Sequence, residues 1–143
     1  MVLISGYSGI GKSVLANSLQ RHVTETNGFM VLGKFDQQQS VEPYTAFISA
    51  FSKLTDAILA RSSEDIIQSI KEAVGEDAGV LTKVVPSLER ILGDEWEVTA
   101  AGPVEARNRL KFLFRQFIQA ISSHNPLVVV LDDLQWIDTA SFG

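Results

Sequence analysis

Apolar residues along this chain fall into two kinds of pattern, and each predicts a different element. Val2-Leu3-Ile4, Phe29-Met30-Val31-Leu32-Gly33-Lys34-Phe35 and Leu127-Val128-Val129-Val130-Leu131 are short, largely unbroken apolar runs, as expected of buried parallel strands. Leu15, Leu19 and Val23 recur at four-residue spacing, which predicts a helix with one buried face directly after the first run. Pro43 is placed to open a second helix, along which Tyr44, Phe47, Ile48, Phe51, Leu54 and Ile58 keep helical spacing. Ser62 and Asp65 have the spacing of a capping box ahead of a short helix carrying Ile66, Ile67, Ile70 and Val74, with Gly75 at its stop. Val80 to Val85 fits helix or strand, Pro86 to Leu92 a short helix closed by Gly93, and Glu95 to Gly102 a loop. A long helix from Val104 to about Ser123 presents Leu110, Leu113, Phe114, Phe117, Ile118 and Ile121 as one stripe and ends at Asn125-Pro126.

Strands alternating with helices predict an α/β fold with a parallel sheet. The link between the first two elements assigns a chemistry. Gly6-Tyr7-Ser8-Gly9-Ile10-Gly11-Lys12-Ser13 matches the phosphate-loop pattern G-x-x-x-x-G-K-[ST] in full, between a predicted strand and a predicted helix. Glycines let the backbone bend so that successive N–H groups face an oxyanion, and the helix N-terminus adds its positive end. All eight residues are candidates for nucleotide binding, Tyr7, Ser8 and Ile10 chiefly through the main chain. Lys12 is placed to reach the β- and γ-phosphates and the Ser13 hydroxyl to ligate Mg²⁺. The valine run then ends in Asp132 and Asp133, the Walker B arrangement. A buried strand delivers its terminal carboxylate rigidly to the sheet edge, so Asp132 is the second candidate for Mg²⁺, which keeps much of its water and takes few protein carboxylates. Asp133, one residue on, is the candidate to orient or deprotonate an attacking water. With Lys12 it forms the catalytic assignment.

Composition narrows the rest. With 143 residues, 45% of them apolar, the chain is at most one domain with a sizeable core. A net charge of −5 without a long basic run argues against nucleic acid, whose binding rests on clustered Lys and Arg. Zero cysteines exclude disulfides and thiolate chemistry. No apolar stretch reaches the roughly 18 residues a membrane helix needs, and the expected location is cytoplasmic. Lesser candidates carry plainer readings. Asp138 reads as the N-cap of a helix from Thr139, and Trp136 as packing under that turn. Gln135 reads as a loop amide near the γ-phosphate or its water, and His22 and His124 as a helix-surface residue and one near a helix end. Arg107 and Arg109 read chiefly as solvated helix surface, and Lys34 as either facing the site or facing solvent.

On these residues the chain resembles the AAA-type ATPase module of the signal-transduction ATPases with numerous domains, in particular its origin-recognition-complex-like group. The likeness rests on Gly6 to Ser13, Gly33-Lys34-Phe35-Asp36-Gln37, Glu105-Ala106-Arg107-Asn108-Arg109-Leu110, and Leu131 to Asp138. It implies a phosphate-loop three-layer αβα sandwich with a parallel sheet, ATP and ADP as ligands with Mg²⁺, and slow hydrolysis used as a conformational switch. It also implies covalently fused kinase or sensor domains and leaves room for nucleotide-dependent self-association. Most relatives place Glu where this chain has Asp133, which is one methylene shorter. The family's sheet has a further strand between the phosphate-loop strand and the Walker B strand, and no segment after Asp133 reads as that strand. The chain is therefore expected to be the N-terminal part, residues 1–143, of a longer nucleotide-binding domain, binding nucleotide better than it turns it over. A small-molecule phosphate-loop kinase and a non-catalytic nucleotide-holding scaffold are the competing readings.

Overall fold

The computed structural model describes residues 2, 4–7, 9–36, 43–94, 96 and 102–142, the side chains of Ser13, Ala140 and Phe142 excepted. Helix α1 (Lys12–Glu25) leads into strand β1 (Phe29–Lys34), then helices α2 (Thr45–Ala60) and α3 (Glu64–Val74). A 3₁₀ turn at Gly75–Asp77 passes directly into α4 (Ala78–Val84), and a second at Pro86–Leu88 into α5 (Glu89–Leu92). The long α6 (Pro103–Ser122) precedes β2 (Leu127–Asp132), which is followed by a 3₁₀ turn at Leu134–Trp136 and α7 (Thr139–Phe142). Among the described residues the sheet has two strands, and they pair in parallel from Phe29 opposite Leu127 to Lys34 opposite Asp132. This mixed arrangement is compatible with a phosphate-loop α/β domain.

The core lies between β1 and the helices that follow it. Phe29 and Val31 point from one face of β1 into a cluster with Phe51, Leu54 and Ile58 of α2, Ile66 and Ile70 of α3, Leu81 of α4, and Leu113, Phe117 and Ile121 of α6. Most of the stripes predicted for α2, α3 and α6 are buried or half-buried, Ile118 of α6 being exposed. Phe51 is the hub, with the Phe114 ring centroid at 5.2 Å and Phe117 edge-on at 5.7 Å. Its stacked neighbour is Phe47 at 6.4 Å. Such aromatic pairs add roughly 0.5–1.5 kcal/mol beyond area burial. The helix over β1 comes very close: a Cβ built on Gly33 would stand 2.3 Å from the Ala46 carbonyl oxygen. Small residues make that approach feasible, since Ala46 and Ala50 are also fully buried. At the other end of the layer, Arg61 closes α2 onto the start of β1. Its guanidinium lies 4.2 Å from the Phe29 ring centroid and donates at 2.8 Å to the Asn27 and Gly28 carbonyls.

Three expectations require correction. Val2 and Ile4 lie outside both strands and are 88% and 42% exposed, so neither takes the predicted place in a buried strand, which needs a hydrogen-bonded neighbour alongside. The same geometry leaves α1 uncovered on its apolar face. Leu15 and Leu19 are 54% and 45% exposed, and of the predicted stripe Val23 alone is buried. Finally, α3 takes Ser63 as its N-cap residue, with no side-chain cap bond, so Ser62 and Asp65 make no capping box. The ambiguous stretch Val80 to Val85 is resolved as helix up to Val84. Leu81 and Thr82 are buried there, with Val85 fully buried just beyond, a pattern that follows the helical turn.

Candidate functional site

The candidate site is assembled where the parallel strands end. Gly11 precedes α1 with φ 95°, and Gly9 has φ 82°, both in the left-handed region where a side chain is strained. A Cβ at either position would meet nothing within 4 Å, so the loop is open on that side. The Lys12 ammonium folds back over this loop and donates to the carbonyls of Gly6 at 2.8 Å and Tyr7 at 3.0 Å. The predicted loop positions Gly6, Tyr7, Gly9, Ile10, Gly11 and Lys12 are thus described and lie together at the head of α1. Ser8 and the Ser13 side chain fall outside the described part, and the calls on them stay expectations.

Strand β2 ends at Asp132, with Asp133 directly after it, as its sequence predicts. Asp132 is the last residue of the strand, and its Oδ1 accepts the N–H of Asp133 at 2.9 Å. Asp133 turns the chain sharply, at φ 56° for a non-glycine residue, a conformation that costs about 1–3 kcal/mol unless its surroundings hold it. Those surroundings are specific. Gln135 Nε2 donates to Asp133 Oδ1 at 3.2 Å, and Lys34 Nζ, at the end of β1, lies 3.2 Å from Oδ2. The Gln135 and Lys34 hydrogen bonds, with the fields of Lys34 and Lys12, hold the Asp133 carboxyl below its ordinary pKa.

The donor set suits a magnesium–nucleoside phosphate. It combines a glycine-bent loop carrying an ammonium with the carboxylates at and just past the end of β2. Among the described residues no three carboxylates or imidazoles form a metal cage. A divalent ion held by Asp132 would therefore draw most of its ligands from phosphate and water, as Mg²⁺ does.

A family profile for the AAA ATPase domain matches residues 1–142. The chain belongs to the AAA ATPase domain family. A curated relative, the hybrid signal transduction histidine kinase G of Dictyostelium discoideum, is 33% identical to this AAA ATPase domain over 145 residues, covering 99% of the chain. The chain spans only 4% of that relative's length. No solved structure matches it.

The remaining sequence candidates separate clearly. Asp138 is buried and accepts from the Ser141 N–H at 2.8 Å, the N-cap bond expected for α7. It does a second job that spacing could not reveal, accepting the Tyr44 N–H at 3.3 Å at the head of α2. Burial alone would raise its pKa, but the hydrogen bonds from Ser141 and the Tyr44 amide outweigh this and hold it low. Trp136 is 38% exposed. Arg109 is ion-paired with Asp77, away from the site, and this bond raises its pKa. His124 exchanges a hydrogen bond with Ser69 at 2.7 Å. Lys34 is the residue on which sequence reasoning stood divided, and it is both 65% exposed and paired with Asp133. The signal lay in the register: Lys34 ends β1 opposite Asp132, so its neighbour across the sheet is the carboxylate pair. Among the described residues no helix is long and apolar enough to cross a membrane.

Proposed function

We propose that this AAA ATPase domain binds ATP with Mg²⁺ through Gly6 to Ser13 and hydrolyses it slowly, the nucleotide state acting as a switch within a larger signalling protein. One observation carries this reading: directly ahead of α1, Gly9 and Gly11 take left-handed backbone and the Lys12 ammonium folds over the loop onto the Gly6 and Tyr7 carbonyls. Triphosphate oxygens would replace the carbonyls of Gly6 and Tyr7 as partners of Lys12, with the loop amides as further donors. Asp132 and the Ser13 hydroxyl are assigned to the ion, which supplies charge neutralisation at the phosphates. Asp133 is assigned to the attacking water. Phosphoryl transfer asks a protein mainly for position and electrostatics, and Asp133, one methylene shorter than glutamate, reaches less far toward an attacking water, so binding is the dominant property and turnover the lesser one. The kinship with a hybrid histidine kinase supports kinase or sensor domains fused to this one.

The test is nucleotide titration of the wild-type protein against Lys12→Ala. A loss of at least tenfold in ATP affinity is expected, since hydrogen bonds to charged groups contribute about 1.5–3 kcal/mol. Equal affinity in the two proteins refutes the role given to Lys12. Release of inorganic phosphate without any acceptor separates an ATPase from a small-molecule kinase, which requires one.

A further inference from the structure

We propose that Gln135 is a positioning residue for hydrolysis: its side-chain amide holds Oδ1 of Asp133 and thereby aims that carboxylate at the attacking water. This rests on the role given to Asp133 above and adds the residue through which that carboxylate is oriented. Asp133 needs such a partner because the strand does not fix it. It lies beyond the last paired residue of β2, takes left-handed backbone at φ 56°, and has a side chain that is 35% exposed. A carboxylate in that setting has several staggered rotamers open to it, and a given water lies in reach of few of them. Gln135 Nε2 donates to Oδ1 at 3.2 Å and selects among them.

The backbone that carries Gln135 is held at both ends. On the strand side, Asp132 Oδ1 accepts the Asp133 N–H at 2.9 Å. The chain then closes the 3₁₀ turn at Leu134–Trp136, in which the Trp136 N–H donates to the Asp133 carbonyl at 2.9 Å and the Ile137 N–H to the Leu134 carbonyl at 3.2 Å. Beyond the turn, buried Asp138 accepts the Tyr44 and Ser141 N–H groups. Gln135 itself is exposed, and its amide has no other hydrogen-bond partner among the described residues. Core packing therefore does not account for a glutamine at this position, whereas the bond to Asp133 does. Aspartate has few rotatable bonds, so a single well-placed donor is enough to set its direction. Small misplacements of a reacting group are costly in rate, so an orienting bond of this kind acts on turnover and not on nucleotide binding.

The experiment measures ATP affinity and kcat in the full-length wild type, Gln135→Ala, Gln135→Glu, Asp133→Asn and the double variant Asp133→Asn with Gln135→Ala. Gln135→Ala should lower kcat about tenfold while ATP affinity stays within about twofold of wild type, as expected for the loss of one hydrogen bond to a charged group that does not touch the nucleotide. Gln135→Glu keeps the length of the side chain and loses the donor, so its kcat should fall at least as far. Residues that act as a unit do not add, so Gln135→Ala should cost nothing further once Asp133→Asn is in place. A wild-type kcat in Gln135→Ala overturns the proposal. An equal fractional loss in both backgrounds also overturns it, because Gln135 would then act on the phosphate or the water itself. Should Gln135→Ala fail to fold, a wild-type kcat in Gln135→Glu does the same. Wild-type protein that binds ATP without releasing phosphate, or Asp133→Asn hydrolysing as fast as wild type, overturns instead the reading on which this one rests.

Discussion

Replacing Gly33 by alanine adds a single methyl group, yet the structure places it against backbone. The new Cβ would stand 2.3 Å from the Ala46 carbonyl oxygen, 3.0 Å from the Ala46 carbonyl carbon and 3.1 Å from Leu131 Cδ2. Leu131 can turn aside, but the carbonyl of α2 cannot without moving the helix. Restoring ordinary contact requires α2 to withdraw by about 1 Å along its first turn, opening gaps around the fully buried Ala46 and Ala50. Overpacking of this kind costs about 1–3 kcal/mol, and a rigid backbone partner argues for the upper end. About 3 kcal/mol corresponds to a midpoint lowered by roughly 10 °C in a domain of this size. Thermal unfolding followed by circular dichroism is the assay, with Gly102→Ala as the control, because nothing lies within 4 Å of a Cβ there. If Gly33→Ala melts within a degree or two of wild type, α2 has room to spare over β1, and the close-packing account of the layer is wrong.

The remaining predictions concern the ties between layers. Arg61→Ala removes the ring contact and two carbonyl bonds at the start of β1, and should lower stability by roughly 1–2 kcal/mol in urea titration; Arg61→Lys should recover only part of it, since an ammonium lacks the planar fork. Equal stability of the lysine variant and wild type would show that charge alone matters there. Asp138 is held below its ordinary pKa, so its contribution is fully present above the unfolded carboxylate value and is lost as pH falls through its lower folded value. Wild-type stability should therefore decline on the acid side more steeply than that of Asp138→Asn, and parallel acid limbs for the two proteins would remove Asp138 from the account.

Much of this molecule was legible in its residues. Spacing placed α2, α3 and α6 on their correct buried faces because a helical stripe is set by period alone, whatever it packs against. The valine run and its terminal Asp132 were equally plain, and so was the Asp138 cap, because both are local rules between near neighbours in sequence. Within Gly6 to Ser13, Gly9 and Gly11 take the left-handed backbone that glycines admit and other residues resist.

Tertiary structure decided whatever depended on a distant neighbour. Val2 and Ile4 read as a buried strand, but strand burial requires a partner alongside, and spacing along one segment carries no information about that partner. The fate of Leu15 and Leu19 on α1 followed from the same gap. Val80 to Val84 became helix once α4 packed against α6. The pairing of Lys34 with Asp133, 99 positions further along the chain, exists because two strands align in parallel register, and the Tyr44 amide meets Asp138 for a similar reason. Local periodicity fixes which face of an element is apolar, whereas only the packed sheet fixes which charges meet at its edge.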